Sequence, residues 1–166
     1  RAWPHVDVRV ADRGDAIEPV ADADVVVVAA PVDAIGSILA ALAPLAGPHT
    51  LVLDTGSTKR GVMAAARAAG LPRFVGGHPM AGGTGGADGA HAGLFDGRPW
   101  FLVGGSVEAA AGARTFVAAL GATPVVMNDQ GAQHDRVMAA VSHLPQVTAS
   151  ALMVVAASGV SADELS

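Results

Sequence analysis

The chain has 166 residues, 51% hydrophobic and 4% aromatic, enough for one well-buried domain and too few for two generous ones. A net charge of -5, with the 10 Lys and Arg scattered, offers no basic face for a polyanion and argues against nucleic acid as a partner. No cysteine is present, which excludes disulfides and thiolate chemistry, and no uninterrupted apolar run approaches the roughly 20 residues of a bilayer span. The chain reads as soluble and cytoplasmic, with no membrane partner.

In chain order, the first 24 residues have room for one strand, Val6 to Val10, and a short helix near Ala16 to Ala21. The β-branched run from Val25 to Ala30, bounded by Asp24 and Pro31, is apolar on both faces and reads as a central parallel strand. Ile35, Ile38, Leu39 and Leu42 then recur at helical spacing between Val32 and Leu45, and Pro44 with Gly47-Pro48 closes the segment. A strand follows at Leu51 to Leu53, a helix from Lys59 to Ala69, and a short strand at Phe74-Val75 that leads into a glycine-dense loop.

The glycine-rich stretch from Gly82 to Gly97 reads as a loop or lid whose order depends on a ligand. Beyond it come a strand from Trp100 to Val103, a helix from Val107 to Leu120 with Val107, Ala110, Ala113, Val117 and Leu120 inward, and a strand from Thr123 to Val126. This alternation predicts a doubly wound, mostly parallel α/β sheet. The segment from Asp129 to Ala157 reads as one long helix. Pro145 lacks a backbone donor and crowds the carbonyl of Val141, so a kink or an unwound turn is expected beside Ser142 and His143.

Three segments carry candidate chemistry. Gly76-Gly77-His78-Pro79-Met80-Ala81-Gly82-Gly83 sets one imidazole in a loop directly after a strand, where glycines permit close approach of a ligand. Leu51-Val52-Leu53-Asp54-Thr55-Gly56-Ser57-Thr58-Lys59 is an apolar strand ending in hydroxyl residues and a lysine, at the sheet edge where open α/β folds hold ligands. The third comprises His134-Asp135-Arg136 and Ser142-His143-Leu144-Pro145-Gln146. A lone loop histidine is ordinarily a surface or packing residue, Ser57 by itself reads as a helix N-cap, and Lys59 reads as an exposed lysine at a helix start or a holder of a carboxylate or phosphate. The six histidines show no zinc-site spacing, so no metal is expected, and Ser57 and Ser142 lack the context of a nucleophile elbow.

Taken together, these segments resemble the prephenate and arogenate (cyclohexadienyl) dehydrogenase family of tyrosine biosynthesis, over about Val20 to Leu152. The resemblance implies a Rossmann-like domain and NAD(P)-dependent oxidative decarboxylation of prephenate or arogenate. It implies His78 as acceptor of the substrate hydroxyl proton, with Ser57 hydrogen-bonded to His78 and placing the nicotinamide. Ala30, Pro31, Val32 and Met80 would line the cofactor, NAD or NADP. His143, Ser142, Gln146, Gly82, Gly83 and Thr84 would face the substrate.

Departures from the family pattern bear on these roles. Gln146 stands where many relatives carry a second histidine, and Gly83-Thr84-Gly85-Gly86 replaces a more polar segment that includes an acid. No Gly-x-Gly-x-x-Gly fingerprint precedes Val25. The chain therefore reads as a fragment or as the ordered part of a longer protein. Residues 1–127 are expected to form a partial dinucleotide-binding domain, and 128–166 a linking helix that enters a helical dimerisation domain, giving a homodimer. The alternatives are a related cyclohexadienyl or β-hydroxy acid dehydrogenase, or an inactive α/β module that only associates with partners.

Overall fold

A computed structural model describes residues 6–11, 20, 22–82 and 89–158. Five strands form one sheet in the order β1 (Val25–Val28), β2 (Leu51–Asp54), β3 (Phe74–Pro79), β4 (Pro99–Val103) and β5 (Thr123–Met127). Strands β1, β2 and β3 are parallel, β4 runs antiparallel to β3, and β5 is parallel to β4. The sheet is thus mostly parallel and Rossmann-like.

Alternation along β2 explains the two layers, because successive side chains point to opposite faces. Val52 packs with Ile35, Leu39 and Leu42 of α1 (Val32–Leu42) and with Val62, Met63 and Ala66 of α2 (Arg60–Ala68). Leu51 and Leu53 pack on the other face with Ala109, Ala113 and Val117 of α3 (Val107–Ala119). Each fully buried Leu or Ile contributes about 1.5–3 kcal/mol of transfer free energy, so α1 alone anchors firmly through three such residues. Small Ala residues at i, i+4 let α3 approach the sheet closely, and Ser106 caps it by accepting the Ala109 amide at 3.2 Å.

The structure corrects several expectations. The segment from Val6 to Val10 forms no strand and is exposed, while the helix expected near Ala16 to Ala21 falls almost wholly outside the described residues. Among the described residues β1 lies at an edge of the sheet, not its centre, and Val27 is partly exposed. Val107 faces solvent, because the inward stripe of α3 runs through Ala109, Ala113 and Val117. His78 is not in a loop: β3 continues through Gly76, Gly77 and His78 to Pro79, paired with β4 from Val103 to Trp100.

The last segment is α4 (Ala132–Met138), a π-helical turn at Ala139–His143, and α5 (Leu144–Ser158). Of the expected kink or unwound turn, the chain takes the second: a wider turn in which the Leu144 amide reaches back to the Ala139 carbonyl. A π turn shifts the hydrogen-bond register just before Pro145, which has no amide to offer. By length and composition alone, the continuous helix from Ala132 to Ser158 is apolar enough to cross a membrane. Its first two turns are nevertheless committed to the α/β domain, where His134 and Met138 are buried, whereas α5 is exposed along its length.

Candidate functional site

The site lies at the carboxyl ends of β2 and β3, under the start of α4. β3 delivers His78, whose Nδ1 lies 3.0 Å from Nε2 of His134, the third residue of α4. His134 is fully buried, and its Nδ1 lies 2.8 Å from Oδ1 of Asp135. Asp135 also accepts the amides of Lys59 at 2.6 Å and Arg60 at 3.0 Å, so it caps α2 from a distant part of the chain. Burial raises the Asp135 carboxyl, but the bonds from His134, Arg60 and Lys59 outweigh it and hold the group below the ordinary carboxylate range.

With both rings uncharged, an ionised Asp135 fixes the tautomers. A carboxylate only accepts, so His134 carries its proton on Nδ1 and leaves Nε2 as an acceptor. His78 must then donate from Nδ1, which places its free lone pair on Nε2. Among the described residues that nitrogen has no hydrogen-bond partner. Burial, together with His134, Lys59 and His143, pushes the His78 pKa down to about 4 against the opposing pull of Asp135, so the ring is neutral at physiological pH. The arrangement is a neutral, oriented base.

A second network lies beneath it. Asp54, at the end of β2, is fully buried; its Oδ1 accepts the Gly77 amide at 3.0 Å and its Oδ2 accepts the Gly56 amide at 2.8 Å. The same Oδ2 is ion-paired with the Nζ of Lys59, which is also fully buried. Lys59 is therefore neither the exposed lysine nor the free anion holder that its position at a helix start suggested. Burial pushes the Asp54 carboxyl up and the Lys59 ammonium down, and each charge restrains the other's shift.

Other expected site residues are placed as follows. Ser57 is exposed and makes no side-chain hydrogen bond among the described residues; the expected bond to His78 is replaced by the one to His134, and the N-cap role belongs to Asp135. Ala30, Pro31 and Val32 form the turn from β1 into α1 at the same end of the sheet, and Pro31 caps α1 without any side-chain bond. Met80 and Gly82 line a cavity of about 420 Å³ with His91, Asp96 and Arg98. Ser142 and His143 lie in the π turn, and Gln146 is exposed on α5. Gly83 and Thr84 lie outside the described residues. Among the described residues, no group of three or more His, Cys, Asp or Glu is arranged to hold a metal ion.

Sequence reasoning did not assign roles to Asp54, His134 or Asp135, and gave Lys59 a different one. His134-Asp135 stood out as a pair, but nothing in its spacing connects it with a lysine amide 76 residues earlier.

An open, mostly parallel α/β sheet with its chemistry at the carboxyl ends of the strands defines a Rossmann-like nucleotide-binding domain. Residues 4–127 match the family described as prephenate dehydrogenase, nucleotide-binding domain. The chain belongs to that family. It is 36% identical over 95% of its length to the probable prephenate dehydrogenase NovF of Streptomyces niveus, covering 44% of that protein. Prephenate dehydrogenase of Aquifex aeolicus, solved in complex with hydroxyphenyl propionate and NAD+, superposes with a TM-score of 0.74 at 26% identity, over 84% of this chain and 50% of that one. Arogenate dehydrogenase of Synechocystis gives a TM-score of 0.73 at 30% identity, over 88% and 52% respectively. The chain thus spans about half the length of these relatives.

Proposed function

We propose that the protein containing this chain catalyses NAD(P)-dependent oxidative decarboxylation of prephenate or arogenate in the cytoplasm, with His78 as the proton acceptor. The observation that carries this reading is the hydrogen-bonded series His78, His134, Asp135, which leaves His78 Nε2 neutral, oriented and free. Similarity to a prephenate dehydrogenase solved with NAD+ and to an arogenate dehydrogenase supports the cofactor and the substrate class.

The residues fit the nicotinamide end of a dinucleotide. The turn Ala30-Pro31-Val32 opens an 11-residue helix with no side-chain cap; the Ala34 and Ile35 amides bond the Pro31 carbonyl, which leaves those of Val32 and Asp33 for a polar group of the cofactor. Ser57, just after β2, and Met80, just after β3, are assigned to the same cofactor contact. When bound, the nicotinamide supplies the hydride acceptor. His78 holds the substrate hydroxyl and takes its proton while hydride leaves the same carbon, and loss of the ring carboxylate as carbon dioxide makes the ring aromatic. His134 keeps the accepting nitrogen aimed outward, and the buried floor under β3 excludes water from that side. Gly82, Gly83, Thr84, Ser142, His143 and Gln146 border the substrate.

Residues 1–127 form the nucleotide-binding part and 128–166 the linking helix. The uncharged, exposed α5 enters a helical domain through which the protein forms a homodimer. In the intact protein, His78→Asn is expected to lower kcat by ~10²- to 10⁴-fold, the usual contribution of a general base, with cofactor affinity preserved in calorimetry. Unchanged turnover in that variant overturns the assignment.

A further inference from the structure

Lys59 holds His78 by two separate routes. Its side chain pairs with Asp54, whose other oxygen accepts the amide of Gly77, the residue before His78. Its main-chain amide bonds Asp135, which orients His134 and through it the His78 ring. One route grips the backbone of the histidine and the other grips its imidazole.

The packing leaves little slack in the first route. A Cβ added to Gly77 would lie 2.2 Å from the Asp54 carbonyl oxygen, and one added to Gly76 would lie 2.9 Å from the Lys59 Cδ. The stem of Lys59 and the end of β2 therefore form the floor on which this part of β3 rests. Burying two opposite charges is weak grounds for stability, since apolar side chains of similar volume do as well. Such a pair does supply a fixed, directional geometry, here spent on the amides of Gly56 and Gly77, which precede Ser57 and His78.

We propose that Asp54 and Lys59 are positioning residues of the reaction: the pair fixes the main chain that carries His78, and Lys59 couples that grip to the Asp135–His134 contact on the ring. This rests on His78 being the proton acceptor, and it adds two residues that touch neither substrate nor cofactor. The charged groups acting on His78 are Lys59 at the start of α2, His134 and Asp135 of α4, and His143 of the π turn. Of these, only Lys59 is also tied to the backbone beside it. Removing the Lys59 cation takes away one of the influences that depress His78.

The test uses Asp54→Asn combined with Lys59→Met in the intact protein, because either change alone strands a buried charge. Selectively labelled histidine reports the His78 titration by NMR, and steady-state kinetics report turnover. The double variant is expected to titrate His78 upward from about 4, and to lose ~10- to 100-fold in kcat with KM within about threefold. A folded double variant with an unmoved His78 midpoint overturns the proposal. A moved midpoint with unchanged turnover supports the grip on His78 and overturns His78 as proton acceptor. Should the double variant not fold, amide exchange in the unaltered protein decides: Gly77 is expected to exchange at least ~10³-fold more slowly than its intrinsic rate, and exchange near that rate overturns the proposal.

Discussion

His78 Nδ1 and His134 Nε2 lie 3.0 Å apart, and the carboxylate behind His134 lets that bond run in only one direction. For the proton acceptor proposed above, this assigns the accepting lone pair to Nε2 of His78 before any substrate arrives. Replacing His134 with Ala removes the acceptor for the His78 N–H and lets the ring choose either tautomer. In the intact protein kcat is expected to fall ~10- to 100-fold with KM nearly unchanged, as for a misoriented catalytic group. Steady-state kinetics at saturating cofactor check this, and a kcat equal to the unaltered enzyme's would remove His134 from the mechanism.

The depressed His78 pKa predicts the acid limb of the activity. With its folded value near 4 instead of 6.5, His78 stays neutral as pH falls through 6.5, and kcat/KM is expected to drop only as pH nears about 4. The same shift has a stability consequence. Between those values the unfolded chain binds a proton that the folded one does not, so the contribution is full above 6.5 and is lost as pH falls toward about 4. Chemical denaturation at a series of pH values measures it, and stability that rises on acidification through this window would contradict the sign.

Gly77→Ala tests the contact between β2 and β3. The added carbon would meet the Asp54 carbonyl at 2.2 Å, with backbone on both sides of the clash. A loss of about 3 kcal/mol is expected, at the upper end of overpacking costs, seen as a lower midpoint in urea. Gly61→Ala, on the open surface of α2 with nothing within 4 Å of the added carbon, is the control and is expected to be neutral or slightly stabilising.

Gly131→Ala tests how α4 is docked. Gly131 has φ +93°, and a Cβ there would lie 2.6 Å from the Arg60 amide nitrogen and the Lys59 carbonyl carbon. The substitution is expected to push α4 away, break the Asp135 cap and cost about 2 kcal/mol or more. Its distinguishing sign is a His78 titration that moves upward toward 6.5 as burial and the His134 contact are lost together. A destabilised variant with His78 still near 4 would mean that α4 does not shape the site.

Much of this architecture was legible in the chain because local pattern and tertiary role agree there. Val25 to Val28 reads as a strand from its β-branched run, and Ile35, Leu39 and Leu42 had to face a sheet, since no other placement buries those three. His78 was legible through its neighbours, but its conformation was misread: glycine density suggested a loop, whereas Gly76 and Gly77 are strand residues pressed against Lys59 and Asp54. Lys59 is the sharper case. No periodicity announces a fully buried lysine, because the carboxylate that permits it and the helix that covers it come from separate turns of the fold. His134 and Asp135 were illegible for the same reason, their roles being defined only once α4 crosses the start of α2.

The π turn now takes on a mechanical meaning. α4 is bolted down, by Asp135 on the first amides of α2 and by the burial of His134 and Met138, while Leu144–Ser158 stands clear of the sheet. The first place where the outgoing helix is free to swing is therefore Ala139–His143, and His143 rides on that pivot. The direction in which α5 leaves the domain and the position of His143 are thus set by the same five residues.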